Sequence, residues 1–175
     1  MLFRSILAAY SKMPNAAFGA DVMVGFPGET EEDFKQTRRL VASLPFTYLH
    51  VFPFSRRPGT PADTMPDQVH GAVARQRGRI LRELAAEKNR RFRERQVGRT
   101  LNVLTLEEET EGGTSALSDN YLKVFVPGER LPANRLVDVR IASLSGTGLV
   151  GEPAAKGLLQ SCCADSPSMM TCASA

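Results

Sequence analysis

The apolar residues of this chain switch between two spacings, and the change-overs mark its elements. Phe3, Ile6, Leu7 and Tyr10 recur at helical spacing and predict an amphipathic helix at the start. Ala16 to Val24 (AAFGADVMV) ends in an alternating apolar run that stops at Gly25-Phe26-Pro27-Gly28, the pattern of a buried strand entering a tight turn. The acids Glu29, Glu31, Glu32 and Asp33 then favour the positive end of a helix, with Thr30 as its N-cap. Phe34, Leu40, Val41 and Leu44 supply its apolar stripe, and Pro45 ends it. A second strand is expected over Tyr48–Phe52, followed by a Pro/Gly/Arg loop at Pro53–Pro61. Strand, turn, helix and strand at this spacing make a βαβ unit with parallel strands.

One long helix is expected from Asp67 to Arg95, with Val69, Val73, Ile80, Leu81, Leu84 and Phe92 as its apolar positions and Gly78 weakening its middle. After Gly98 the period becomes two. Thr100–Leu106, Tyr121–Val126 and Leu136–Leu144 alternate, separated by the acidic turn Glu107–Gly113, by Pro127-Gly128 and by Gly146–Gly148. Short strands with regular turn signals predict a small β-barrel. The fold class is therefore α/β followed by a small all-β unit. From Pro153 onward Ala, Ser, Cys and Met follow no period, and a frayed tail is expected there. Two βα units cannot bury both faces of a parallel sheet. Residues 1–90 thus read as part of a larger domain, and the chain as a fragment.

Composition adds little, because 42% hydrophobic and 23% charged residues in 175 are ordinary globular values. Charge placement adds more. Residues 75–99 carry ten Lys/Arg against three Asp/Glu, whereas residues 1–74 balance at seven each and residues 100–150 hold four against seven. A basic segment between neutral and acidic blocks points to an anionic partner. No apolar run is long enough to span a membrane. Cys162, Cys163 and Cys172 all lie in the last fourteen residues and give neither a disulfide framework nor an export signal, so the expected location is the cytoplasm.

Three stretches carry candidate chemistry. The turn Gly25–Glu29 sits where a strand ends and a helix begins, so backbone can approach a ligand closely and free N–H groups face it. Glu29 reads equally as a helix-start acid. The loop after the second strand presents Ser55, Arg56 and Arg57 between Pro53 and Pro58, and an Arg there can grip a carboxylate or phosphate in two-point fashion. The basic helix offers Arg75, Arg77, Arg79, Arg82, Lys88, Arg90, Arg91, Arg93, Arg95 and Arg99 to phosphates, or to solvent and to Glu83, Glu87 and Glu94. In the β-rich part Tyr121 can stack on a base or pack in the core, and Lys123 can meet a phosphate. His50 and His70 have no ligand-like neighbour.

In this order and spacing, Val24–Thr30 (VGFPGET) and Ser55-Arg56-Arg57-Pro58-Gly59-Thr60 resemble the last part of the radical-SAM barrel in the tRNA methylthiotransferases. HVFPFSRRPGT, together with Ser118-Asp119-Asn120-Tyr121, is most similar to the branch acting on threonylcarbamoyladenosine, and Phe54 stands where Tyr is common. The resemblance covers roughly residues 1–150. It implies the terminal βα units of a radical-SAM partial barrel with a basic connecting helix over residues 1–90. It further implies a TRAM-like, OB-like RNA-binding barrel over 91–152, and a tail at 153–175. For the intact family it implies S-adenosylmethionine, two 4Fe-4S clusters and the tRNA anticodon stem-loop as substrate, with neither membrane nor DNA as a partner. Carried onto this chain, Gly25, Phe26, Gly28, Glu29, Ser55 and Arg57 would face S-adenosylmethionine. Arg90, Arg91, Arg93, Arg95, Tyr121 and Lys123 would face RNA. Clusters need thiolates, and the chain has no cysteine before Cys162. Catalytic and metal-binding residues are accordingly expected to be absent, and the chain alone to be inactive apart from RNA binding. A non-catalytic RNA-binding module is the competing expectation.

Overall fold

The computed structural model describes residues 2–154 apart from 109 and 129. The cysteine-bearing tail lies outside the described residues.

Helix α1 (Leu2–Lys12) leads into strand β1 (Gly19–Val24), helix α2 (Glu31–Ser43) and strand β2 (Tyr48–Pro53). β1 and β2 pair in parallel, Gly19 opposite Tyr48 and Val24 opposite Pro53, as the expected βαβ unit requires. Alternation divides this sheet into two unlike faces. Val22, Val24, Leu49 and Val51 pack with Phe34, Val41 and Leu44 around α2 and with Leu81 and Leu84 of the long helix. The opposite face, which carries Asp21, Met23, Tyr48 and His50, is exposed.

α2 begins where its sequence dictates. Thr30 Oγ1 accepts from the Asp33 N–H at 3.1 Å, and Asp33 Oδ2 accepts from the Thr30 N–H at 3.0 Å, closing a capping box. The hydrogen bonds from the Thr30 side chain and backbone hold the Asp33 carboxyl below its ordinary value of 3.8. Because the folded state binds that proton more weakly, its contribution to stability is complete above pH 3.8 and fades as pH falls through the lowered value. Thr30→Ala is expected to cost about 0.5–2 kcal/mol at neutral pH. The gap from the unchanged protein in thermal midpoint should narrow below pH 3.8. A gap independent of pH would detach the cap from the carboxylate.

The loop after β2 contains one short helix, α3 (Pro61–Thr64), that its composition did not announce. The long helix α4 spans Gly71–Glu94, starting four residues later than Asp67. Asp67 adopts φ +57°, its carbonyl accepts from the Gly28 N–H at 2.9 Å, and His70 caps the helix through Nδ1. The segment before Gly71 is thereby tied to the β1 turn.

Beyond α4 five strands close a barrel: β3 (Thr100–Thr105), β4 (Gly113–Ser118), β5 (Lys123–Pro127), β6 (Leu136–Ser145) and β7 (Gly148–Pro153), ordered β3-β4-β5-β7-β6. The β3–β6 pairing completes the ring, and β5–β7 is its one parallel pair. Tyr121, expected within a strand, sits instead in the β4–β5 turn. The barrel is filled by Leu101, Val103, Val124, Val126, Val139, Ile141 and Leu149, and by Phe92 from the last turn of α4, which is 1% exposed. α4 thus belongs to both cores: Leu81 packs under the sheet and Phe92 inside the barrel.

Candidate functional site

The first cluster forms at the C-terminal ends of β1 and β2. Gly25 (φ +76°) and Gly28 (φ +84°) occupy left-handed conformations that side chains disfavour. A Cβ on Gly25 would lie 2.5 Å from Ala74 Cβ, so the turn and the first turn of α4 touch directly. Glu29 folds back beneath the turn. Its Oε2 accepts from the Gly25 N–H at 2.5 Å and from Arg77 Nη1 at 2.7 Å, and Arg77 Nη1 also donates to the Glu29 carbonyl at 3.0 Å. Arg77 Nη2 reaches Glu31 at 3.4 Å, and its guanidinium lies over the Phe34 ring. The Glu29 carboxylate is therefore engaged within the protein and determines the shape of the turn.

Phe26, exposed at the tip, meets Phe54 edge-on with centroids 5.2 Å apart. That contact joins the turn to the second loop, where Met23, Phe52, Phe54, Ser55, Arg57 and Thr60 line an open hollow of about 460 Å³. The loop is held from within. Thr60 Oγ1 donates to the Arg57 carbonyl at 2.8 Å, while Arg56 turns back to the Asp63 carboxylate and carbonyl. Arg57 is exposed and forms no ion pair among the described residues. Of the six expected cofactor residues, Ser55 and Arg57 line the hollow, Phe26 reaches it only through Phe54, and Gly25, Gly28 and the buttressing Glu29 shape the adjoining turn without lining it. An open hollow lined by two aromatic rings, two hydroxyls and a guanidinium suits one side of a ligand that combines a flat heterocycle with an anionic or carboxylate group.

The basic helix divides by its own geometry. Arg77, Leu81, Lys88 and Phe92 fall on the inward stripe of a 3.6-residue period. Lys88 Nζ donates to the Ala42 and Leu44 carbonyls at 3.0 and 2.9 Å, satisfying the end of α2. Burial, with Arg91 nearby, lowers the Lys88 pKa from its ordinary value. Arg93 is 8% exposed and donates to Asn89 Oδ1 and to the Gly146 carbonyl at 2.7 Å, tying α4 to the β6–β7 turn. Charge alone could not separate these three from their neighbours. Arg90, Arg91 and Arg95 remain exposed: Arg90 pairs with Glu94 at 2.8 Å, Arg91 pairs with Glu87, and Arg95 donates to the Tyr10 hydroxyl.

Tyr121 is 81% exposed, and Lys123 is exposed on the barrel wall. Tyr121 shares a cleft with Gly19, Thr47 and Tyr48, at the N-terminal ends of β1 and β2. The two groups of candidate residues therefore lie at opposite ends of the sheet, with α4 running between them.

No family model matches the chain. Curated relatives do. A tRNA-2-methylthio-N(6)-dimethylallyladenosine synthase of Sphingopyxis alaskensis is 38% identical over 141 residues, covering 80% of this chain and 32% of the relative. One of Streptomyces avermitilis is 40% identical over 147 residues, covering 80% and 29%. A threonylcarbamoyladenosine tRNA methylthiotransferase of Aquifex aeolicus is 37% identical over 128 residues, covering 73% and 30%. The chain belongs to the tRNA methylthiotransferases. It spans about three tenths of the length of these methylthiotransferases.

The residues at hand fit the implied cofactors unequally. The hollow at Phe54, Ser55 and Arg57 has the chemistry to take one side of S-adenosylmethionine. Iron–sulfur clusters have no counterpart there: among the described residues no group of three or more His, Cys, Asp or Glu could hold a metal, and Cys162, Cys163 and Cys172 lie outside them. No described helix is long and apolar enough to cross a membrane.

Proposed function

We propose that the chain is part of a tRNA 2-methylthiotransferase, contributing one wall of an S-adenosylmethionine site and an RNA-binding barrel of the TRAM kind. The substrate position is the modified adenosine beside the anticodon, and cluster-dependent radical chemistry falls to residues other than these. The observation that carries the reading is the joining, through Phe26 and Phe54, of the glycine turn to the Ser55–Arg57 loop at the C-terminal ends of parallel strands, where α/β folds bind ligands. The chain's place among enzymes bearing that name supports it. The Ser-Arg-Arg-Pro-Gly-Thr loop favours threonylcarbamoyladenosine as the target. The names of the Sphingopyxis and Streptomyces relatives favour dimethylallyladenosine. The chain alone binds tRNA without transferring a methylthio group, and its setting is the cytoplasm.

Five strand steps, about 17 Å at about 3.3 Å each, separate the two ends of β1. Six stacked nucleotides, five steps at about 3.4 Å each, bridge the same span. A single stem-loop can therefore rest on the barrel and present one base at the opposite end of the sheet.

Arg90 and Arg91 are the basic residues to test, because Arg93 is buried and its reversal would damage the fold. Arg90→Glu with Arg91→Glu removes exposed ion pairs of little structural value. Titration of the chain with tRNA at two salt concentrations is expected to show weaker binding and a log–log salt slope reduced by about 1–2. Binding that ignores salt and both substitutions would remove the electrostatic basis of the RNA reading.

A further inference from the structure

The β4–β5 turn is built in a manner that its barrel does not require. Tyr121 has φ +61°, a conformation that a bulky side chain enters only at a cost. Its backbone is over-determined by neighbours. Ser118 Oγ donates to Asn120 Oδ1 at 2.6 Å and accepts from the Leu122 N–H at 2.9 Å, and the Tyr121 N–H donates to the Ser118 carbonyl at 2.9 Å. Asn120, 7% exposed, donates in turn to the Asn15 carbonyl in the α1–β1 loop at 3.2 Å. This polar lock serves to hold one aromatic ring out in solvent, 81% exposed.

That ring has a counterpart. Tyr48, 58% exposed, stands across a cleft of about 280 Å³ whose floor includes Gly19, its strand partner. The volume lies just under the range of pockets for drug-sized ligands, about 300–1,000 Å³, and suits one heterocycle. Cations stand nearby. Lys12 borders Tyr121 on its other side, and Arg99 donates to Asn15 Oδ1 at 2.8 Å in the same loop, whereas Lys123 lines a separate hollow on the barrel with Glu108 and Ser145. Asp119 is the acid among them. Exposed aromatic faces ringed by Lys and Arg are the means by which proteins hold single-stranded nucleic acid without reading its sequence.

We infer that the cleft between Tyr121 and Tyr48 is a subsite for one unstacked base of single-stranded RNA, with Lys12 and Arg99 meeting the flanking phosphates. The inference rests on the RNA-binding reading above and adds Tyr48 and the α1–β1 loop to the surface.

The chain has three tyrosines and no Trp, so its intrinsic fluorescence comes from Tyr48 and Tyr121 in this cleft and from Tyr10 beside Arg95, and the share lost in Tyr121→Gly and Tyr48→Leu identifies the cleft's part. A seven-nucleotide single-stranded RNA is the probe, with a blunt duplex of the same sequence beside it. The full chain should bind the single strand with quenching of tyrosine emission and bind the duplex more weakly. Tyr121→Gly removes the ring and relieves the left-handed backbone. It should weaken single-strand binding about tenfold or more without lowering the thermal midpoint. Tyr48→Leu should weaken it several-fold and leave the salt slope unchanged. If the unchanged chain binds neither RNA, the RNA reading falls and the subsite with it. If it binds and both variants bind equally well, the subsite alone is overturned.

Discussion

Arg77→Met is expected to lower the stability of the βα layer by about 3–5 kcal/mol, because it strips the partner from a nearly buried carboxylate. Glu29 is 12% exposed and keeps only the Gly25 N–H once the guanidinium is gone. Arg77 Nε is already buried with no partner among the described residues, so the pair carries an unrecovered desolvation cost. That makes the double variant informative. Arg77→Met with Glu29→Gln should recover part of the loss, since removing both charges removes the penalty that one alone incurs. Urea denaturation followed by far-ultraviolet circular dichroism measures both. Amide exchange at Gly25 supplies a local readout, and its protection should drop most in the double variant, which replaces the Glu29 carboxylate that the Gly25 N–H donates to. If Arg77→Met melts with the unchanged protein, the buried pair has no structural role and the turn is held by its glycines alone.

Phe92→Ala should cost about 3–5 kcal/mol, the ordinary range for emptying a buried aromatic site. Its effect should fall on the barrel. The ring comes from a helix, not from a strand, and completes a barrel core whose other members are mostly Val and Leu. Amide exchange should accelerate at Val139 and Ile141 well before it does at Val22 and Val24. Uniform acceleration would mean that the two cores melt as one unit.

The first half of the fold was legible because its signals are local. A strand ending in Gly-Phe-Pro-Gly, an N-cap threonine with acids behind it, and a proline stop each act within a few residues. The barrel was legible as a class and less so in its parts. β4 (Gly113–Ser118) and β7 (Gly148–Pro153) lack the β-branched alternation that announces a strand, because close approach dictates their composition. A Cβ on Gly113 would fall 2.3 Å from the Val126 carbonyl oxygen, and one on Gly151 would fall 2.6 Å from that of Arg140. Those partners lie on the neighbouring strand, beyond the few residues over which a strand pattern is read, so the pattern does not reveal the requirement. The same holds at the candidate sites. Glu29 and Arg77 are 48 residues apart, and Arg93 meets Gly146 at a separation of 53, so nothing in a count of charges distinguishes them from solvated neighbours. Tyr48 carried no signal, since an aromatic at the start of a strand reads as core until the sheet is seen to leave that face open.

α4 acts as both a ruler and a protractor. Its residue 77 is fixed beneath the glycine turn and its residue 92 inside the barrel, fifteen steps apart at about 1.5 Å each, or about 22 Å. Because the rod is continuous, the spacing between the two ends and the bearing of one relative to the other are set by a single integer. One residue added or removed between Leu81 and Phe92 would swing the barrel by about 100° around the helix axis. The length of this segment is therefore a tighter constraint on a working relative than the identity of most side chains along it.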